Sequence, residues 1–584
     1  MFKNNEQHDH PILITSVNQL PEEQKQYLYE SWAGVFYREF FRRLDEQPFA
    51  VLYSDKPSRP NVPVNVLVGL ETLKAGFGWS DEEMYEAFLY NMQVRYALGY
   101  DEFGTGYFDL RTMYYFRERL SRYMQETGVN LLERAFEKIT DEQLAAFQIK
   151  TGIQRTPALA AGASVDSTMV GSNIRQMGRL QLLVEVLQRV ERMLKKKDQA
   201  HYAEEFAPYL QGHAGQYVYR LKREENAEHI QRIGKFMLRL LGELKEGYGQ
   251  DPAYQVLERV FHEHFLVKGE TAQAKTGHEL SAASLQSPDD LEATFRQKGG
   301  QGYRGYVANV TETCDPKNEV QLVTKVQVAP DHTDDSRLLV EALPNLKERM
   351  NLDQLSTDGG HGGQEADRAL QEQHVTHIQT AIRGHGPNPK KLSLSDFVIK
   401  LNQAGRPVQV TCPQQQRSPV HPGSQKKSFV ALFDSAICSP CPFWQAAQCP
   451  ASPGKRDAHH HLRFQLQDAY SSQRRRLSLV QKKKSSNLRA AIEATIRSVK
   501  HPFPASKLPV RGSFRMAGLL IGSASLANIR RLQRYLEAKD QPGKSLKDPE
   551  CSSERPGFSF WSSIKAAFGS CFWLSSPSEQ YLGY

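Results

Sequence analysis

The segment Ala-Ser-Val-Asp-Ser-Thr-Met-Val-Gly-Ser-Asn-Ile, residues 163–174, contains the first of three acidic residues that together indicate a function. An apolar approach over residues 159–165 leads to Asp166, and small polar residues follow it at once. This pattern predicts a strand that presents a carboxylate at its end. Such a carboxylate suits Mg²⁺, which takes oxygen ligands. An aspartate after a strand is more often a turn residue, so Asp166 alone does not define a site.

Length and composition predict a globular protein of several domains. The chain has 584 residues, of which 40% are hydrophobic and 24% are charged, and its formal net charge is +8. At roughly 150 residues per domain, this length predicts two to four domains. Over residues 474–500, nine Lys or Arg residues accompany one acidic residue, Glu493. A basic excess of this kind is compatible with nucleic-acid binding but does not require it.

Secretion and membrane insertion are not expected. The first seven residues, Met-Phe-Lys-Asn-Asn-Glu-Gln, contain no apolar secretory core. The longest nearly uncharged apolar run, residues 516–529, is shorter than the ~20 residues of a membrane span. Seven cysteines in so long a chain do not form a disulfide framework. We therefore expect a soluble cytoplasmic protein with no membrane partner, associated with the nucleoid if it binds DNA.

Helix signals dominate residues 1–150. A helix is predicted after Pro63, and Ser80 with acidic residues behind it is an N-cap signal for a second helix. A further helix is predicted from Asp109 and carries Arg117 among several arginines. Short helices with a basic last member predict either a helix-turn-helix-like DNA-binding unit or a plain helical bundle with solvated arginines. The pattern does not separate these two alternatives.

The middle of the chain predicts an insertion and a long loop. Residues 176–197 and 229–248 have leucines at helical spacing, which predicts a helical insertion over about residues 175–290. The Lys- and Gln-rich stretch at 414–427 predicts a loop. From residue 541 the composition turns to Ser, Pro, Gly and Lys, which predicts a poorly ordered tail.

A second aspartate, Asp358, also follows a predicted strand, as Asp166 does. Strands are predicted at 302–310 and 319–328, and a helix at 334–350 follows them. A short strand then ends in Asp358, followed by two glycines. An Asp-Gly turn is common. Two strand-end aspartates on either side of a hairpin can nevertheless converge on one edge of a mixed sheet.

Glu493 supplies the third carboxylate, on a helix predicted at 487–500. It stands four residues from Arg489 and from Arg497, and ordinary ion pairs with these arginines would explain a lone glutamate. Together with Asp166 and Asp358, it could hold two divalent cations about 4 Å apart. Such a pair activates a water or a 3′-hydroxyl and stabilises the leaving oxygen in phosphodiester cleavage.

The order of these segments resembles the DDE transposases of bacterial insertion sequences. The similar segments are residues 63–120 (the helical N-terminal domain of one large branch), 166–174 (the first aspartate motif), 357–360 (the second), Arg489-x3-Glu493-x6-Lys500 (the glutamate motif), and 509–512 with 528–531 (its downstream helix). Some relatives carry a tyrosine three residues before the arginine, where this chain has Ser486.

The resemblance implies a mixed α/β, helix-rich fold: an RNase H-like sheet flanked by helices at 151–540, after a helical DNA-binding domain at 1–150. It implies a transposase that binds element ends and catalyses metal-dependent DNA cleavage and strand transfer, with Asp166, Asp358 and Glu493 as ligands of Mg²⁺ or Mn²⁺. The implied partners are double-stranded DNA, as terminal inverted repeats and target, and a second copy of the chain. The side chains expected to contact DNA are Arg489, Lys500, Arg511, Arg515 and Arg117.

A cysteine cluster predicts a structural zinc site. Cys438-Ser-Pro-Cys441 has zinc-ribbon spacing, and Cys412 and Cys449 could complete four thiolate ligands. The resemblance implies a small Cys-containing insertion before the glutamate, here at about 405–470. Four unconnected thiols are the simpler alternative. The histidines that could replace one cysteine are His421, His459, His460 and His461.

Two further interpretations of the whole chain remain open at this point. The first is an inactive or domesticated DNA-binding protein of the same fold. The second is a helical scaffold with a zinc module, in which the three acids are surface residues. The second predicts that these acids do not converge, and the first predicts DNA binding without cleavage.

Overall fold

The computed structural model describes residues 1–6, 15–56, 59–155, 169–269, 271–298, 300–379, 388–402, 404–423, 425, 427–454, 457–482, 488–504 and 507–540. The chain divides into a unit Met1–Tyr535 and a unit Leu536–Tyr584, of which residues 536–540 are described, as helix. The first unit is mixed α/β and helix-rich. The tail expected at 541–584 lies outside the described residues. Among the residues described, none of the helices is both long and apolar enough to cross a membrane.

Helices fill most of the described chain up to residue 146, as predicted. They are α1 (Glu22–Glu30), α2 (Trp32–Glu39), α3 (Val64–Phe77), α4 (Asp81–Tyr90), α5 (Met92–Ala97), α6 (Arg111–Thr127) and α7 (Leu131–Ala146), with 3-10 turns at Phe41–Arg43 and Gln47–Leu52. The Ser80 hydroxyl accepts from the Glu83 N–H, and the Glu83 carboxylate accepts from the Ser80 N–H. This reciprocal cap confirms the predicted start of α4.

The chain then enters a central sheet and leaves it for a helical insertion. The elements are β1 (Ile153–Arg155), β2 (Met169–Gly171), α8 (Arg179–Met193), α9 (Lys196–His201), α10 (Ala203–Phe206), α11 (Ala214–Tyr219), α12 (Asn226–Tyr248), α13 (Pro252–His264), β3 (Phe265–Lys268) and β4 (Thr271–Ala274). Leucines of α8 and α12 pack with Phe206 and Phe261 in a core that belongs to the insertion. The two predicted long helices are thereby confirmed.

The central sheet is mixed. Its later strands and connecting helices are β5 (Thr294–Lys298), β6 (Gln301–Thr313), β7 (Val323–Pro330), α14 (Asp335–Met350), β8 (Gln354–Thr357), α15 (Gln364–Glu372) and β9 (Thr376–Gln379). The strand order is β2-β6-β1-β8-β9, and β5 and β7 also pair with β6. β6 is antiparallel to all four of these partners, whereas β1, β8 and β9 are parallel to one another.

A second sheet is antiparallel. It contains β10 (Val398–Leu401), β11 (Pro407–Thr411), β12 (Arg417–Pro422), β13 (Ser428–Asp434), β14 (Ser452–Pro453) and β15 (His459–Gln465), with short helices α16 (Ser435–Cys438) and α17 (Pro442–Gln445). The order is β10-β11-β12-β13-β15-β14. The loop predicted at 414–427 is wrong in part, because β12 pairs with both β11 and β13.

The two faces of the central sheet are covered by different helices. The described chain ends with α18 (Leu466–Lys482), α19 (Leu488–Lys500) and α20 (Ser513–Asp540). Ile492 and Ile496 of α19 and Leu520 of α20 share a core with Ala308 and Val310 of β6. Leu355 of β8 packs instead with α14 and α15. The helices predicted at 334–350 and 487–500 are confirmed.

Helix α20 also packs against the N-terminal helices through small residues. A Cβ built on Gly522 would lie 2.8 Å from the Ala75 Cβ and 3.2 Å from the Thr72 Cα of α3. Leu526 fills the space beside Gly76. Because glycine has no side chain, the backbones of α3 and α20 approach each other closely.

Candidate functional site

The first predicted carboxylate, Asp166, lies outside the described residues, as do its neighbours from 156 to 168. The described chain on either side of this gap belongs to the central sheet. Arg155 of β1 pairs with Ser356 of β8, and Met169 of β2 pairs with Val307 of β6. Asp166 precedes Met169 by three residues, so covalent geometry limits their Cα separation to about 11 Å.

Asp358 follows β8 directly, as predicted. Its Oδ1 accepts a hydrogen bond from the Gly360 N–H at 2.8 Å and lies 3.3 Å from Nδ1 of the buried His361. Its Oδ2 is buried and has no hydrogen-bond partner in the described part of the chain. A buried carboxylate oxygen without a partner is unfavourable. A bound cation at this position would satisfy it.

The register of the sheet shows which face Asp358 occupies. Ser356 pairs with Arg155, and Arg155 pairs with Glu312 of β6. Side chains two residues apart on a strand share a face, so Asp358 shares the face of Ser356 and Glu312. Glu312 contacts Thr495 of α19. Asp358 therefore lies on the face that α19 covers.

Helix α19 carries Glu493 to this face of the sheet. Ile492, Ile496 and Val499 are buried against the sheet, whereas Glu493 is exposed. Lys500 follows Glu493 by about two helical turns and is half-buried, which places both residues on the same flank of the helix. The side chain of Arg489 is outside the described residues.

A buried polar cluster holds α19 from its other flank. The Thr495 hydroxyl donates to Glu312 Oε2 at 2.6 Å and accepts from Arg531 Nη2 at 2.5 Å. Arg531 Nη1 lies 3.1 Å from the same Glu312 oxygen. Sequence reasoning missed this cluster because it predicts that the strand ends at Val310, whereas β6 continues to Thr313. An acidic residue within a run rich in Val and Thr is the signal that could have found it.

Residues 507–512 lie along β2. The Leu508 N–H donates to Gly171 O at 3.0 Å, and the Asn173 N–H donates to Val510 O at 3.1 Å. Arg511 Nε donates to Asn173 O at 2.8 Å, although the two residues are 338 positions apart. Two of the segments that carry the family resemblance are thus joined side by side.

Asp290 stabilises the contact between residues 507–512 and the chain at β2. Its carboxylate accepts from the Ser172 hydroxyl at 2.5 Å, from the Tyr306 hydroxyl at 2.6 Å and from the Gly512 N–H at 3.1 Å. Burial and the contact with Asp290 raise the pKa of Tyr306 well above its ordinary value. Tyr306 therefore stays protonated and donates. Sequence reasoning also missed Asp290, since it lies in the irregular chain before β5.

The side chains predicted to contact DNA differ in their exposure and in their ion pairs within the protein. Arg511 and Arg515 are exposed. Arg117 lies 2.6 Å from carboxylate oxygens of both Glu71 and Asp81. Burial opposes its charge, but these two carboxylates raise the pKa of Arg117. Arg117 therefore ties α6 to α3 and α4, a structural role the sequence did not predict, and its DNA contact stays a prediction.

The four predicted zinc ligands line one small cavity. Cys412, Cys438, Cys441 and Cys449 surround about 30 Å³ of space, together with His460 and apolar side chains. Burial raises the pKa of Cys438 to about 11, and the three neighbouring thiols add to the shift. Burial also raises the pKa of Cys449, so Cys438 and Cys449 both favour the thiol form, whereas a structural zinc site takes cysteine as thiolate.

The geometry is not that of an assembled metal site. Across the described ranges, no group of three or more His, Cys, Asp or Glu side chains is close enough to hold a metal ion. Of the histidines considered as ligands, His460 lines the cysteine cavity. His421 is exposed, and His461 Nε2 lies 2.9 Å from Asp457. The donor set fits zinc chemically, and the sulfur atoms would have to close around it.

Two family models match the chain. A transposase DDE domain matches residues 411–533, and a Transposase domain (DUF772) matches residues 24–119. Both matches support an insertion-sequence DDE transposase. No curated protein and no solved structure matches the chain significantly. Transposases of this kind act on DNA, and DDE transposases generally use divalent metal ions.

The DDE match covers only part of the candidate site of this chain. Glu493, Lys500 and the four cysteines of the cavity lie inside it. Asp166 and Asp358 precede it, and neither lies in the N-terminal match. Arg117 lies in the N-terminal match.

Proposed function

We propose that this protein binds the ends of its mobile element and catalyses metal-dependent DNA cleavage and strand transfer, with Asp166, Asp358 and Glu493 as the metal ligands. The observation that carries the proposal is Asp358. It stands at the end of a central strand, on the face that α19 covers, with one buried carboxylate oxygen that has no hydrogen-bond partner in the described residues.

The topology of the sheet supports an RNase H-like core. An antiparallel pair, β6 and β7, stands on one side of β1, and two parallel strands, β8 and β9, stand on the other. The chain around Asp166 continues into β2, which pairs with β6, and β8 delivers Asp358. The proposed metal site requires Asp166 to lie close to Asp358 at the end of β8.

The chemistry follows from these ligand types. Carboxylates hold hard cations such as Mg²⁺ or Mn²⁺, and two such ions, when bound, activate the attacking oxygen and stabilise the leaving one. The chain itself holds the metal through oxygen ligands and orients the DNA. The exposed Arg511 and Arg515, with Lys500 and Arg489, are proposed to bind phosphates. Contacts of this kind fix the register of DNA against the site.

A substitution at each end of β8 tests the assignment. Asp358→Asn removes a charged ligand with little change in size, and we expect loss of cleavage with DNA affinity nearly unchanged. Asp353→Asn is the matched control, because Asp353 stands at the start of the same strand with its side chain 70% exposed. The assay uses a linear duplex that carries the element's own ends, with Mg²⁺.

Full cleavage by Asp358→Asn would contradict the metal assignment. DNA binding by the wild-type protein without cleavage in Mg²⁺ or Mn²⁺ would support the alternative of an inactive DNA-binding protein with the same fold. A homodimer is proposed for the DNA complex, since two element ends must be joined. Cytoplasmic location at the nucleoid is proposed on the same ground.

We propose in addition that Cys412, Cys438, Cys441 and Cys449 hold a structural zinc ion. This proposal is supported by the small cavity that the four thiols share with apolar side chains. Four thiolates make a closed tetrahedral site, which contributes to folding and leaves no open position for catalysis. His460 is the alternative ligand that the cavity offers.

A further inference from the structure

Glu312, Thr495 and Arg531 form a buried cluster between β6, α19 and α20, called here the Glu312 cluster. The side chain of Glu312 is 2% exposed and that of Arg531 is 17% exposed. The Thr495 hydroxyl both donates to Glu312 and accepts from Arg531. Arg531 also donates to Gln321 O at 2.9 Å. Only a hydroxyl can donate and accept at this position, so Thr495 is not replaceable by an apolar residue of the same shape.

Glu493 and Thr495 lie on opposite flanks of the face that α19 buries. At 3.6 residues per turn, Ile492 and Ile496 point to the sheet, with Thr495 on one side of them and Glu493 on the other. The Thr495 flank faces α20, which supplies Arg531.

Helix α20 in turn lies on the β7 side of the sheet. The Asn528 side chain accepts from the Val323 N–H at 2.8 Å and donates to Val323 O at 2.9 Å. β7 and β1 pair with opposite edges of β6, so the flank of α19 that faces away from α20 is on the side of β1 and β8. Asp358 lies at the end of β8, on the side to which Glu493 is directed.

We infer that the Glu312 cluster fixes the rotation of α19 about its axis and so sets the position of Glu493 relative to Asp358. This inference rests on the proposed role of Glu493 as a metal ligand. The apolar contacts of α19 are non-directional, whereas the hydrogen bonds of Thr495 restrict its orientation. Glu312, Thr495 and Arg531 are positioning residues, since their described contacts are with one another and with the sheet.

The size of the effect follows from the helix radius. Side-chain groups lie about 5–6 Å from a helix axis, so a rotation of about 10° moves a carboxylate by about 1 Å. A displacement of this size can lower a rate by about a hundredfold. A ligand displaced from a metal pair also raises the metal concentration that activity requires.

The test is Thr495→Val against Thr495→Ser in the full-length protein. Valine keeps the shape and removes the hydroxyl, and we expect cleavage at saturating DNA to fall about 10- to 100-fold, with a higher Mg²⁺ concentration for half-maximal activity. The KM for a duplex carrying the element's own ends should change less than the rate, because the proposed DNA contacts include Arg511 and Arg515, which lie outside α19. Serine keeps the hydroxyl and should restore both the rate and the Mg²⁺ requirement.

Ser523→Ala is the matched control for stability. It removes a buried hydrogen bond of 2.7 Å from Ser523 Oγ to Val499 O, between the same two helices but away from the Glu312 cluster. We expect it to lower the unfolding temperature about as much as Thr495→Val without changing the Mg²⁺ requirement. An equal change of the Mg²⁺ requirement in Ser523→Ala, or none in Thr495→Val, overturns the inference.

A second variant and a separate measurement keep the outcomes distinct. If Thr495→Val does not fold, Arg531→Gln removes the guanidinium from the cluster and is read in the same way. Glu493→Gln tests the proposed function itself, and undiminished cleavage by that variant overturns the metal assignment. Loss of cleavage in Glu493→Gln with a normal Thr495→Val overturns the positioning role alone.

Discussion

The two large sheets of this protein are supported in different ways. The central sheet is packed on one face by α14 and α15 and on the other by α19 and α20. The six-stranded sheet rests on a smaller core that includes Phe397, Val410 and Phe433, and it leaves Val408 of β11 43% exposed. Three of the four clustered cysteines pack against this smaller core.

The difference indicates which interactions stabilise each sheet in addition to the pairing of its strands. Apolar burial stabilises in proportion to the area removed from water, and the central sheet buries both faces. A small sheet with one limited core gains less from burial and often depends on metals or disulfides. The comparison therefore predicts that metal removal affects the six-stranded sheet, and that loss of polar contacts affects the central sheet.

The largest effect is expected from removing the proposed zinc ion of the six-stranded sheet. Chelation, or Cys441→Ser, should raise the protease sensitivity of residues 388–465 by at least about tenfold, because metal-binding energy is folding energy in such sites. Limited proteolysis with mass spectrometry locates the cleavages, and metal analysis counts bound zinc.

Cys314→Ser is the control for this experiment. Cys314 is buried in the chain just after β6, away from the cavity, and its loss should leave the zinc content and the protease pattern of the six-stranded sheet unchanged. A protein with no zinc and the same protease sensitivity with and without chelator would contradict the structural site.

Asn528→Ala should destabilise the central sheet at β7. The amide makes two hydrogen bonds to the backbone of Val323, and leaving this buried N–H and C=O without partners should cost about 2–4 kcal/mol. Thermal unfolding and hydrogen exchange of residues 321–330 measure the effect. Asn402→Ala, an exposed turn asparagine in the six-stranded sheet, is the matched control and should cost less than about 1 kcal/mol.

Asp331 should make the stability of the central sheet depend on pH. Both of its carboxylate oxygens are buried without hydrogen-bond partners in the described residues, and burial raises its pKa to about 7, opposed by Arg296 and assisted by Asp335. Because the folded pKa lies above the unfolded value of 3.8, this group favours folding at low pH, and that contribution is lost as the pH rises to about 7.

Asp331→Asn should remove this dependence. Relative to the variant, the wild-type protein should lose about 1 kcal/mol of stability per pH unit between pH 5 and pH 7. Thermal unfolding across that range measures the difference. Asp334→Asn keeps an N-cap at α14 and should follow the wild type; parallel curves for Asp331→Asn and wild type would refute the prediction.

The smallest expected effect comes from comparing Lys500 of α19, which packs on the central sheet, with Lys400 of the six-stranded sheet. Lys500→Ala, at the end of α19, should weaken DNA binding and reduce the slope of log affinity against log salt by about 1, because one phosphate contact is lost. Lys400→Ala, exposed on β10, should change neither. An unchanged slope for Lys500→Ala would exclude its phosphate contact, and an equal change at Lys400 would place DNA on both sheets.

Local patterns predicted the helices well. The capping residues of α4, the leucine spacing of α8 and α12, and the apolar face of α19 are all set by neighbours within a few positions. The strand end at Asp358 could also be predicted locally, because a short apolar strand precedes it and a Gly-rich turn follows it.

The rest depends on partners far away in the chain. β12 lies in the Lys- and Gln-rich stretch that predicts a loop, yet the strands on both sides pair with it. The sequence predicts that Arg117 is solvated or binds DNA, yet its guanidinium forms ion pairs with Glu71 and Asp81. Glu312 acquires its role only from residues 183 and 219 positions later.

The packing of Gly522 on α3 has a mechanical consequence. The N-terminal helices contact α20 on one side, and α20 holds both Val323 and Thr495 on the other. A bulky residue at Gly522 or Gly76 would push α20 outward and transmit the displacement to the strand edge and to helix α19. A displacement of the N-terminal helices would therefore be transmitted through α20 to Val323 of β7 and to Thr495 of α19.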